Sequence, residues 1–92
     1  MSWRLAADVR YRLVLDEAVV VRQEAAEVLG LNRVGARILE LIAEGKSEEE
    51  MVAVLAAEHE VDAPVLRADV GEFVQELLAA GVIRRSDEGQ GG

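Results

Sequence analysis

Apolar and polar residues alternate from Val9 to Leu15, with Val9, Tyr11, Leu13 and Leu15 on one side and Arg10, Arg12 and Val14 on the other. A period of two marks a half-buried strand. Asp16-Glu17 reads as a turn, and the β-branched run Ala18 to Arg22 as a second strand. Gln23-Glu24 reads as another tight turn. Neither turn contains Gly or Asn, so both hairpins rest on their flanking runs. Ala25 to Leu31 reads as a third strand, strongest at Val28-Leu29-Gly30-Leu31.

From Asn32 the period changes. Val34, Ile38, Leu41 and Ile42 recur at helical spacing, and Leu39 widens the apolar face. Asn32 is placed to cap this helix and Gly45 to stop it. Ser47 and Glu50 have capping-box spacing, and Glu48, Glu49 and Glu50 suit the positive end of a helix dipole. Met51, Val52, Leu55 and Ala56 give this second helix an apolar side. Asp62 and Pro64 open a third helix, which runs to about Ala80 before Gly81. Its main stripe is Leu66, Val70, Phe73 and Leu77. Val74 and Leu78 extend the stripe to one side, beside Arg67 and Gly71; Val65, Asp69, Glu76 and Ala80 form the opposite flank. Val82-Ile83 is expected to fold back after Gly81. The fold class predicted is α+β, winged helix-turn-helix-like, with a three-stranded antiparallel sheet followed by three helices. Residues 1–8 read as an arm, 9–83 as the domain and 84–92 as a flexible tail.

Composition narrows what such a domain does. In 92 residues there is room for one modest core, and with only 3% aromatic residues that core is aliphatic. The net charge is −8, and residues 32–83 alone hold eleven acidic and four basic groups. Phosphate-rich partners need Lys and Arg to displace counterions, so neither nucleic acid nor an anionic membrane surface is an expected partner. A recognition helix built from residues 47–59 or 63–80 would repel a duplex. No run approaches the roughly 18 apolar residues of a membrane helix. Cysteine is absent, and Met1 to Asp8 lacks an apolar signal-peptide core, so a cytoplasmic location is expected.

Candidate catalytic groups are sparse. His59 is the single histidine, with no set of further ligands around it, so no metal is expected. Glu48, Glu49 and Glu50 occupy adjacent helix positions and diverge. Ser2, Ser47 and Ser86 are a cap and two near-terminal residues. No enzyme activity and no cofactor are expected. What remains is a peptide groove. The third strand ends a meander and leaves an outer edge free to pair, without the Lys or Pro that would blunt it. Val74 and Leu78 could floor a groove beside that edge, or complete the core or a homodimer contact.

The segments Val28 to Leu39, Glu44 to Met51, Asp69 to Leu77 and Ala80 to Ile83, in this order and spacing, resemble the PqqD-like family, the precursor-peptide recognition elements of ribosomal peptide pathways. The small stand-alone members of lasso-peptide pathways are the most similar. The resemblance implies a non-catalytic protein that binds the leader of a precursor peptide as an added strand. It also implies presentation to a maturation enzyme, a leader peptidase in lasso pathways. A chaperone for a radical SAM peptide-modifying enzyme is the alternative, and a homodimer through the same edge is another. Mapped here, the peptide-binding residues are Ala26, Glu27, Val28, Leu29 and Gly30 on the edge, with Arg67, Val70, Gly71, Val74 and Leu78 on the helix. The Asp69 flank is the other face the helix could offer. Ala25 and Ala26 are poor strand formers, which predicts a short edge or one that orders on binding.

Overall fold

A computed structural model describes residues 2–86. The chain order is β1 (Trp3–Leu5), β2 (Val9–Val14), β3 (Glu17–Arg22), β4 (Glu27–Leu31), α1 (Arg33–Ala43), α2 (Glu48–His59), α3 (Ala63–Ala79) and β5 (Ile83–Arg85). Strands β2, β3 and β4 form the expected antiparallel meander, in that spatial order. A second, two-stranded sheet joins the two ends of the chain, with Trp3 opposite Arg85 and Leu5 opposite Ile83.

This second sheet corrects the reading of residues 1–8 as an arm. Trp3 and Ala6 are buried, and the Ala6 N–H donates to the Val82 carbonyl at 2.9 Å. Three residues of alternation are too few to announce a strand, and its partner lies at the other end of the chain. The start of the 84–92 tail is corrected likewise. Arg84 and Arg85 are in β5, and the Ser86 N–H reaches the Ser2 carbonyl at 3.2 Å. The remainder of that tail, 87–92, lies outside the described residues.

The helices form where their caps demand. The Asn32 side chain accepts from the Gly35 N–H at 2.9 Å. Ser47 and Glu50 close a full capping box, at 3.1 and 2.8 Å. Hydrogen bonding to Ser47, backbone first, holds the Glu50 carboxyl below its ordinary range. Asp62 occupies the cap position of α3, but its side chain makes no capping bond; Pro64 supplies the start. Both α1 and α3 end in Schellman motifs. Lys46 N–H donates to the Leu41 carbonyl and Val82 N–H to the Leu77 carbonyl, each at 3.0 Å, with Gly45 and Gly81 left-handed at φ 85° and 77°.

One core joins these parts. Val20 of the sheet shares a buried cluster with Leu39, Leu41 and Ile42 of α1, Met51 and Leu55 of α2, Val70, Val74 and Leu77 of α3, and Val82 and Ile83 beyond it. Each such side chain is worth roughly 1.5–3 kcal/mol of burial. Among the described residues no charged residue is buried. The Arg37 guanidinium grips Glu58 through both carboxylate oxygens, at 2.8–3.2 Å, and ties α1 to the end of α2. That hydrogen bonding pulls the Glu58 carboxyl below its ordinary range.

The turns differ from the sequence expectation. Val14 pairs with Glu17, so the β2–β3 turn is Leu15-Asp16, not Asp16-Glu17. Leu15 adopts φ 59°, a left-handed conformation that sequence rules reserve for Gly or Asn. Arg22 pairs with Glu27, so the next turn spans residues 23–26, and Ala26 adopts φ 54°.

Candidate peptide-binding edge and groove

In the meander, β4 pairs with β3 alone, so its other edge carries unpaired backbone groups. The register fixes its faces. Leu29 sits opposite Val20 and Leu31 opposite Ala18, so both turn toward the core side, where they are half-buried. Val28 and Gly30 face outward, with Val28 68% exposed.

The stretch from Phe73 of α3 to Gly81 comes near the meander at two points. At one end, a methyl group on Gly35 would meet the tip of the Phe73 ring at 3.0 Å and the Leu31 β-carbon at 3.4 Å. The missing side chain of Gly35 is what lets Phe73 approach the end of the strand. At the other end, the Arg22 guanidinium covers Gly81, 3.0 Å from where its β-carbon would be, and pairs with Glu27 at 2.9 Å.

Beyond the Leu31 end of β4 lies an apolar groove of about 400 Å3 between α1 and α3. Ile38 of α1, Leu66, Val70 and Phe73 of α3, and Val61 line it; Asn32, His59 and Asp69 supply its polar groups. His59 therefore sits against the groove rather than merely facing solvent at a helix end.

The expected site residues divide. Glu27, Val28, Leu29 and Gly30 lie on the open strand, but Ala26 belongs to the turn before it. Its left-handed backbone takes it out of the ladder. Val74 is fully buried in the chain's own core, which corrects its assignment as a groove floor; Val70 is 1% exposed and reaches the groove from beneath. Arg67, Gly71 and Leu78 follow the opposite side of α3 from Asp69, and nothing approaches Gly71 within 4 Å of a would-be β-carbon. The structure thus presents the Asp69 flank to the groove. Phe73 and Gly35 were missed. Their signals were a lone aromatic in the helical segment and a glycine in the first turn of a helix, where it costs stability unless something packs close.

An α+β fold with a three-stranded antiparallel meander followed by three helices defines the class. Residues 17–83 match the family of coenzyme PQQ synthesis protein D, and the chain belongs to this PqqD family. No curated protein matches the chain. Among solved structures, TbiB1 in complex with the TbiA(beta) leader peptide is 31% identical, with a TM-score of 0.85 over 88% of this chain and 94% of that one. A lasso peptide synthetase B1 complexed with its leader peptide shares the fold, at 21% identity and a TM-score of 0.84, over 91% of this chain and 99% of that one.

Proposed function

We propose that this protein captures the leader segment of a ribosomally made precursor peptide as an added strand on β4. The observation that carries the reading is the unpaired outer edge of β4, with an apolar groove between α1 and α3 beyond its Leu31 end. Strand addition uses both parts: backbone bonds supply affinity, and peptide side chains that reach the groove set specificity. The likeness to TbiB1, whose structure contains a leader peptide, supports it. Catalysis plays no part in this role. The bound peptide is presented to a separate maturation enzyme, a leader peptidase in a lasso pathway, and the protein works in the cytoplasm.

Titration of a labelled leader, taken from the precursor produced with this chain, tests the reading. Saturable binding is expected, weakened about tenfold or more by Phe73→Ala in a protein with an unchanged circular dichroism spectrum, as for a groove-filling aromatic anchor. Absence of binding, or equal affinity for the folded variant, overturns it. Sedimentation of protein, leader and peptidase together tests presentation, which predicts a complex containing all three. A dimer indifferent to leader would instead favour self-association through the edge.

A further inference from the structure

We propose that a basic, partly apolar face made by β1, β5 and the outward side of the meander docks the maturation enzyme, through an enzyme surface of apolar residues ringed by Asp and Glu. The inference rests on the presentation reading above and names the surface and the chemistry that hold the enzyme.

Charge is divided along the chain. Residues 2–14 and 82–86 contain Arg4, Arg10, Arg12, Arg84 and Arg85 against one acidic residue, Asp8. Residues 15–81 contain five basic and fifteen acidic groups. The β1–β5 ladder brings the two basic stretches together, so half the cations of an acidic protein gather at one pole. All five arginines are exposed. The Asp8 carboxylate accepts from the Glu24 N–H at 3.2 Å, which turns it toward the β3–β4 turn.

Arg4 stands directly opposite Arg84 in the ladder. Like charges so placed destabilise a strand pair, so fold stability gives no reason for them. With Leu5 and Ala7 they line a shallow depression of about 280 Å3. The Arg10 guanidinium donates to the Ala7 carbonyl at 3.3 Å, which brings a third charge to its rim. Arg12 follows two residues on, along the same face of β2. Beside them the outward face of the meander is apolar: Arg10 is in a row with Val21 and Val28, and Arg12 with Val19 and Gly30. Val19 and Val28 are exposed. Guarding the β2 edge would account for Arg10 and Arg12 alone, but not for the Arg4–Arg84 pair or the valines between strands.

Arginine alternating with valine suits a protein surface with carboxylates around an apolar centre. A duplex would instead meet the carboxylates of the rest of the molecule. The placement favours the enzyme as partner. β3 separates β2 from β4, so Arg10 and Arg12 stand about 10 Å, two strand spacings, from the strand that takes the leader. Leader and enzyme are then held at the same time, as presentation requires.

The test measures binding of the leader peptidase produced with this chain to the full-length protein saturated with leader. Asp87 and Glu88 follow this face in sequence and lie outside the described residues, so every variant keeps them. Arg4→Gln, Arg84→Gln and Arg10→Gln, Arg12→Gln are each expected to weaken peptidase binding about 3–10-fold at low salt, the range for two exposed ion pairs. The loss shrinks at high ionic strength, where screening shortens to a few Å. Leader affinity stays at the wild-type value in both, which shows that they are folded. Lys46→Glu changes the net charge by the same amount and should leave peptidase binding as it was. Equal peptidase affinity in both double variants overturns the proposal and leaves presentation standing. An equal loss in Lys46→Glu also overturns it, by assigning the effect to net charge. Salt-sensitive self-association that the arginine changes abolish, with the peptidase bound as before, gives the face to a second copy and overturns it too. A peptidase that does not bind the wild-type complex removes the presentation reading, and this inference with it.

Discussion

Gly45 and Gly81 end α1 and α3 at φ 85° and 77°, while the turns of the meander place Leu15 and Ala26 at 59° and 54°. The same backbone conformation is thus reached by glycine at the ends of α1 and α3, by Glu60 at the end of α2, and by Leu15 and Ala26 in the turns of the sheet. Helix ends here are satisfied locally, by caps within a few residues. The meander is held from a distance: Ala18 and Val20 are buried against the helical layer, while Leu15 is 96% exposed and contributes nothing to the core. The sheet contact lets the chain carry the cost of two unfavourable turns. It also leaves β4 the least enclosed strand of the meander, half-buried at best. The lesson is that stability and the open edge are placed in different parts of one small domain.

Substitutions can break that division, and the largest effect belongs to the core. Val74→Asp places an unpaired carboxylate at a site with no exposure. It should destabilise by more than about 3 kcal/mol and abolish the cooperative thermal transition. A well-folded variant would show that α3 is not packed as described. Next come the turns, which should respond in opposite directions. Gly45→Ala should cost about 1–2 kcal/mol, while Leu15→Gly should gain up to about 1 kcal/mol, both read from urea midpoints. Two losses would mean that the exposed turn is not strained. Ser47→Ala should cost about 1 kcal/mol through the lost cap while leaving leader affinity unchanged, since α2 begins away from the edge.

The smallest effect is a dependence on pH. Glu50 and Glu58 both have folded-state values held below the ordinary carboxylate range. Their contributions are fully present above that range and fade as pH falls through the depressed values. The stability difference between wild type and Glu58→Gln should therefore be present at pH 7 and shrink toward pH 3. A difference that grows on acidification would contradict the Arg37 pairing.

The helices were legible in the sequence because their signals are local. Asn32, Ser47, Gly45 and Gly81 each act within one turn of where they stand, and all four behave as read. The meander was legible from its alternation, but its turns were displaced by one or two residues because Leu15 and Ala26 break the residue rules for positive φ. The β1–β5 sheet was not legible, since it pairs Trp3 with Arg85 across the whole chain. The candidate site was half legible. The open edge follows from strand order, and Glu27 to Gly30 fall on it. The helix flank did not follow, because apolar width pointed to Val74, which the core consumes. Only the packing of Phe73 against Gly35 reveals which side of α3 lines the groove.

Backbone hydrogen exchange with and without saturating leader peptide tests most directly that β4 takes the added strand. Amides of Glu27 to Leu31 that lack a partner in β3 should gain protection when leader binds, while amides inside α1 and α2 stay as they were. Unchanged exchange throughout β4 in a demonstrably bound complex, or new protection confined to β1 and β5, would contradict it.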